Sequence, residues 1–380
     1  MIPKAKRLQN VTEYYFSTKL REVAGLVNEG KPIINIAIGN PDLAPSQRVL
    51  DAIQDSLLHV KAHGYQSYQG LPKLRESIRD FYKKSYRVVL DANTDILPLM
   101  GSKEGIMHIS MAFLNEGDAV LIPNPGYPTY TSVSNLVGAE PIFYDLTHAN
   151  NWEPDFDTLE QQDLSRVKLM WLNYPHMPTG APATKALYEK FVAFAKKHQI
   201  LLVNDNPYSF ILNDTPLSIL EIEGAKEVAL ELNSLSKTFN MAGWRVGMLL
   251  GNPELIKTVL QVKSNMDSGM FFGIQQGAIA ALNLSNEWYV QINTIYKLRR
   301  KIVWKILDKL NCTYDKESVG MFVWAKLPAN ISTEECVDDL LYNKDIFITP
   351  GTIFGSNGEG FIRFSLCVNE NELTEALNRL

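Results

Sequence analysis

The sequence predicts an α/β fold: a mostly parallel sheet covered by helices on both faces, with a second, smaller α+β domain. Three observations carry this prediction. Short apolar or β-branched runs recur through the middle of the chain, at 96–100, 119–122, 141–144, 168–172, 200–203, 228–232 and 246–250. Helical patterns alternate with them, at 72–84, 103–114 and 184–198. Alternation of this kind builds strand–helix–strand units and therefore a parallel sheet. A long helical pattern at 287–310 then leads away, with Val290, Ile295, Leu298, Ile302, Ile306 and Leu310 as its apolar stripe. Beyond it lie the strand-like part of KESVGMFVWAKLP, a helical stretch after Thr333 and the strand-like FIRFSLC. The opening residues are expected to join these, giving a large domain over 40–285 and a small one from 1–39 and 286–380.

Composition narrows the function. A chain of 380 residues holds two to three domains at about 150 residues each. Apolar residues make up 46% and charged residues 21%, which excludes a disordered chain. Thirty-seven basic residues against 42 acidic ones give a net charge of −5, so no general nucleic-acid binding is expected. No apolar run approaches the roughly 20 residues of a membrane helix. MIPKAKRLQN is not followed by an apolar signal core, and a cytoplasmic setting is expected. Cys312, Cys336 and Cys367 are too widely spaced for a disulfide framework or a zinc site. Gly-x-Gly-x-x-Gly, the P-loop and His-Glu-x-x-His are absent. His59 and His63 have helical spacing without a further ligand, and no metal is expected.

Chemistry is sought at the carboxyl ends of the strands, where open α/β sheets bind their ligands. After one strand comes NSLSKTFNMAGWRVG, where Lys237 stands between Ser236 and Thr238, with Ser234 before it and Arg245 after it. A lysine forms a Schiff base when its amine can lose its proton, which apolar surroundings or a nearby cation assist. Serine hydroxyls and an arginine suit a phosphate. Asp205 follows the strand-like ILLVN, with Tyr208 three residues on. A carboxylate there can hold a pyridinium nitrogen protonated. Tyr127, in PNPGYPTY, can stack on a flat ring. Gly101, Ser102 and Lys103 follow ILPLM and open a helix, whose first N–H groups suit an anion. Each has a plainer reading: a solvated lysine, a loop cap, a core tyrosine, a helix cap. Together, at successive strand ends, they point to pyridoxal phosphate.

SLSKTFNMAGWRVG, NYPHMPTG, DNPY, PNPGYPTY and FIRFS, in the sequence's own positions, resemble the class I/II aminotransferases with the aspartate aminotransferase fold. The likeness runs from IGNPD at Ile38 to Arg363. LPLMGSKEGI and KSNMDSGMF look most like the LL-diaminopimelate aminotransferase-like subgroup. The resemblance implies fold type I with a seven-stranded sheet. It implies that Lys237 forms the internal aldimine and moves the proton between substrate and cofactor. Asp205 then pairs with the pyridine nitrogen, Tyr208 donates to the phenolic oxygen and Tyr127 stacks on the ring. Ser102, the Lys103 backbone, Ser234 and Arg245 hold the phosphate, with Gly101, Asn173 and Ser236 also placed in the cofactor site. Arg363 clamps the substrate α-carboxylate beside the Gly39 backbone. Tyr65, in GYQSYQG, reaches the neighbouring subunit's phosphate, which makes a homodimer the expected minimum.

One position departs from the family pattern. Met177 stands where Asn-Pro-Thr-Gly has its asparagine, and methionine has no donor for the phenolic oxygen. Asn173 lies before the turn and is not assumed to replace it. The leading expectation is transfer of an amino group between an amino acid and a 2-oxo acid with ping-pong kinetics. A carbon–sulfur β-lyase keeps the same lysine and arginines and is the alternative within the cofactor family. A cofactor-binding regulatory protein with weak turnover is the alternative of another class; Met177 favours it, and intact Lys237, Asp205, Tyr208 and Arg363 oppose it.

Overall fold

The computed structural model describes residues 2–380. A short strand near the start, β1 (Ile34–Asn35), belongs to a small sheet taken up below. The seven apolar runs become β2 (Ile96–Leu99), β3 (Ala119–Asn124), β4 (Glu140–Asp145), β5 (Val167–Leu172), β6 (Leu201–Asp205), β7 (Ala229–Ser234) and β8 (Gly247–Gly251). They form one sheet in the order β2-β8-β7-β6-β5-β3-β4. The strands from β3 to β7 pair in parallel. Only β8 runs antiparallel to both its neighbours.

The runs are apolar at successive residues because both faces of the sheet are covered. One face sends Leu99, Ile122, Trp171, Val203 and Leu232 against the helices Ser102–Phe113, Pro128–Val137 and Pro253–Lys263. The other sends Leu121, Met170, Leu172, Leu202 and Met248 into a larger core shared with Pro72–Tyr86 and Lys185–His198. The last of these helices is bounded by its own sequence. Thr184 accepts the Leu187 N–H at 3.1 Å, and Gln199 closes it in a left-handed conformation at φ 55°. Lys196, Lys197 and His198 sit in its last turn, where the helix dipole favours cations.

The remaining strands are β9 (Thr313–Tyr314), β10 (Phe322–Lys326), β11 (Ile346–Phe347), β12 (Thr349–Pro350) and β13 (Phe361–Ser365). Four of them form an antiparallel sheet, β12-β13-β10-β9, while β11 pairs in parallel with β1. The Ser365 N–H also donates to the Ile36 carbonyl at 2.8 Å. The start of the chain is thus stitched to its last third.

Two sequence expectations are corrected. The long helix spans Asn286–Lys309, but its buried face runs through Ile292, Tyr296, Arg299, Val303, Ile306 and Leu307. Val290 and Leu298, expected in the stripe, are 65% and 53% exposed. The cause is Arg299, which turns inward to bond both oxygens of Asp42 at 2.6 and 2.8 Å and Glu370 at 2.9 Å. A planar guanidinium satisfied on several edges fixes the rotation of the helix about its axis. His59 and His63 do not share a helix face either, since their helix, Gln47–Ser56, ends before them. His59 stacks on Phe272 instead, with centroids 5.1 Å apart.

Candidate active site

Strand register brings the chemistry together. Because β8 runs backwards, its first residue, Gly247, pairs with Leu99 at the end of β2 and with Ser234 at the end of β7. Asp205 closes β6 next door. The segments that follow these strand ends, 100–103 and 235–246, therefore meet at one edge of the sheet. The approach is close: a Cβ on Gly247 would lie 2.7 Å from the Gly101 carbonyl carbon, and one on Gly101 would lie 2.2 Å from an Arg245 nitrogen. Gly101 is also at φ +88°, so glycine is required there.

A cavity of about 320 Å³ opens at this edge. Gly39, Ser102, Lys103, Tyr127, Asn173, Asp205, Tyr208, Ser234, Ser236, Lys237, Arg245 and Arg363 all line it. Gly101 lies just behind, as the residue before the helix Ser102–Phe113. Tyr65 does not reach the cavity and is 93% exposed. A larger surface groove, about 930 Å³ between 143–160 and 190–197, holds none of these residues.

Lys237 sits on a short helix begun by Ser234, whose hydroxyl accepts the Ser236 N–H at 3.2 Å. Its amine donates to the Gly39 carbonyl. Burial lowers its pKa, and the Arg363 and Arg245 charges lower it further. Asp205 is pushed up to about 7 by burial. Its Oδ2 accepts the Tyr130 hydroxyl at 3.1 Å, while Oδ1 is buried with no partner. Burial also raises Tyr208. The Asn173 amide donates to the Asp205 carbonyl and its oxygen accepts the Met177 N–H.

Arg363, on β13, is 4% exposed. Its guanidinium carbon lies 3.9 Å from the Phe322 ring centre and 4.8 Å from that of Phe354. It donates to the Ala37 carbonyl at 2.9 Å and toward the Met177 sulfur at 3.3 Å, and Nε has no partner. Burial lowers its pKa to about 10. Among the described residues no carboxylate serves this buried cation, and a buried charge is costly until it is paired.

Several lining residues were not found from sequence. Tyr14, Phe16 and Leu20 reach the cavity from the start of the chain, and Phe322 and Phe354 from its last third. The YYF run at 14–16 in an otherwise polar segment was the available signal. Tyr130, one helical turn after Tyr127, was another. Elsewhere, Glu104, His108 and Asp267 bring ligand-type atoms within 4.8 Å of one another. The Lys263 ammonium already pairs with Asp267 at 2.7 Å, so the cluster has its cation.

These residues fit one cofactor. An orphaned buried carboxylate oxygen suits a pyridinium, a lowered lysine suits a Schiff base, and a glycine–helix junction beside an arginine suits a phosphate. The fold and site define a pyridoxal-phosphate enzyme. The family model "Aminotransferase class I and II" matches residues 31–380. The chain is 38% identical to the LL-diaminopimelate aminotransferase of Aquifex aeolicus, across 100% of this chain and 99% of that protein. Apo-BacF from Bacillus subtilis superposes with a TM-score of 0.96 at 37% identity, covering 100% of this chain and 98% of the other. A Thermus thermophilus aspartate aminotransferase double mutant shares the fold, with a TM-score of 0.92 at 23% identity over 100% and 99% of the two chains. The chain belongs to the class I and II aminotransferases, and it is a pyridoxal-phosphate-dependent transaminase.

Proposed function

We propose that the enzyme moves an amino group between an L-amino acid and a 2-oxo acid by a ping-pong sequence, with Lys237 holding the cofactor covalently. One observation supports this above the others. The Lys237 amine, the unpartnered Asp205 oxygen and the Arg363 guanidinium, which has no carboxylate partner, all face one cavity.

Bound pyridoxal phosphate supplies a sink for the electrons left when the substrate Cα loses its proton. Asp205 would hold a proton at the pyridine nitrogen, with its Oδ1 free to accept it. Lys237, buried and easily neutral, would take the Cα proton and return it to the cofactor carbon two atoms along. Tyr208 donates to the phenolic oxygen, and Tyr127 covers the ring. Ser102, the Lys103 backbone, Ser234, Ser236 and Arg245 hold the phosphate, with Gly101 giving the close approach. Asn173 fixes the Asp205 backbone through its amide. Arg363 grips the α-carboxylate in a two-point fork, with Gly39 alongside.

The proposed large domain is 40–285 and the small one 1–39 with 286–380. Tyr65, exposed and outside its own cavity, completes the site of a second copy in a cytoplasmic homodimer. None of the described helices is long and apolar enough to cross a membrane. The test is reduction of the cofactor-loaded protein with borohydride, then peptide mapping. Label on Lys237 is the expected result. Label on another lysine, or no chromophore after cofactor is added, overturns the reading.

A further inference from the structure

We propose that the substrate side chain accepted here is uncharged and aromatic, of the phenylalanine or tyrosine class. This rests on the reading of Lys237 as the cofactor lysine and Arg363 as the α-carboxylate clamp.

The charged side chains lining the cavity are Lys103, Asp205, Lys237, Arg245 and Arg363. Four of them already have tasks: the pyridine nitrogen, the covalent bond, the phosphate and the α-carboxylate. The fifth, Lys103, lays its ammonium over the Tyr14 ring, 4.6 Å from its centre. Burial lowers its pKa and the Arg245 charge lowers it further. A distal ammonium on the substrate finds no free acid, because Asp205 is the only one lining the cavity.

Around Arg363 the walls are Tyr14, Phe16, Leu20, Ile38, Phe322 and Phe354. Phe16 and Leu20 are one turn apart on the helix Tyr15–Asn28 and face the same way. Leu20 is 37% exposed, a large apolar side chain open at the cavity. A carboxylate or ammonium entering between these groups loses its water and gains no partner. A ring loses only water it holds weakly, and ring–ring contacts add to the area it buries. The segment proposed to enter the neighbouring site, residues 64–70 (GYQSYQG), brings two tyrosines and no charge. Its entry from a second copy therefore adds no charge to the site.

The test is a half-reaction panel with cofactor-loaded enzyme. L-phenylalanine, L-tyrosine, L-aspartate, L-glutamate and LL-diaminopimelate are each mixed at limiting concentration, and kcat/KM is read from the loss of the yellow absorbance. The aromatic pair is expected to exceed all three charged substrates by about 100-fold or more, the scale on which a polar mismatch is rejected. In calorimetry with the same loaded protein, 3-phenylpropionate is expected to bind at least about tenfold tighter than glutarate. Phe16→Ala and Leu20→Ala are each expected to lower the preference for L-phenylalanine over L-alanine by about tenfold. A charged substrate that matches or beats phenylalanine on enzyme labelled at Lys237 overturns this inference alone; a winning dicarboxylate puts its distal acid on Lys103. Labelled enzyme that converts no aromatic amino acid overturns it too. Absence of label at Lys237 overturns the functional reading beneath it.

Discussion

Asp205→Asn is expected to stabilise the cofactor-free protein as it disables the cofactor's partner. The folded carboxyl has its pKa raised from 3.8 to about 7, chiefly by burial. The folded state therefore holds a proton that the unfolded chain has released between those values. Stability falls as pH rises through that window, and the loss is complete above about 7. Three pH units correspond to roughly 4 kcal/mol at full ionisation, and about 1.5 kcal/mol is already lost at pH 5. Asparagine removes the ionisation but can still accept the Tyr130 hydroxyl now bonded at 3.1 Å. Urea unfolding of cofactor-stripped wild type and variant, at pH 5 and pH 8, isolates the pH-dependent part. The gain from the substitution should be larger at pH 8 by about 2–3 kcal/mol. Reduced affinity for pyridoxal phosphate should accompany it. Equal gains at both pH values, or a variant less stable at pH 8 than at pH 5 relative to wild type, would falsify the account of a carboxyl held proton-rich by burial.

Arg363→Lys replaces a two-point fork with a point charge and should weaken amino-acid and 2-oxo-acid binding together by about tenfold or more, with cofactor absorbance unchanged. Unaltered affinities, or loss of the cofactor itself, would assign Arg363 another task. Met177→Asn introduces a donor beside Arg363, where a thioether now lies 3.3 Å from Nη1. If that donor reaches the phenolic oxygen, it stabilises the negative charge there and lowers the pH at which the yellow colour of the loaded protein is lost, by about one unit. A spectrophotometric titration with superimposable curves, or a midpoint that rises, rejects the missing-donor account.

The large sheet was legible because its inner strands are buried on both faces, so most of each run is apolar. The residues that gather at the cavity were legible because they stand just past those runs, in motifs with specific spacing. Two-residue strands such as Ile34–Asn35 and Thr349–Pro350 leave no periodic trace. The face of the helix Asn286–Lys309 was misread because Arg299 occupies a core position, and a count of apolar residues cannot anticipate a charged side chain paired across the fold with Asp42. Tyr14 and Phe16 were missed because they meet Lys237 across more than two hundred residues, and no local pattern encodes such a meeting. The bonds from Asn173 to the Asp205 carbonyl and the Met177 N–H are facts that only the turn geometry supplies.

The reversed direction of β8 has a consequence for how such a protein can diversify. It places Lys237 and Arg245 in one continuous stretch, closed by the pairing of Ser234 with Gly247. The wall near Arg363 is instead contributed by separate pieces: the 14–20 segment, Phe322, and Phe354. The lysine–arginine stretch and the apolar wall thus lie on different parts of the chain. Exchange of one short segment, 14–20, between relatives is a route to new substrates that leaves the 234–247 stretch untouched. A lineage can keep its chemistry fixed and drift in diet.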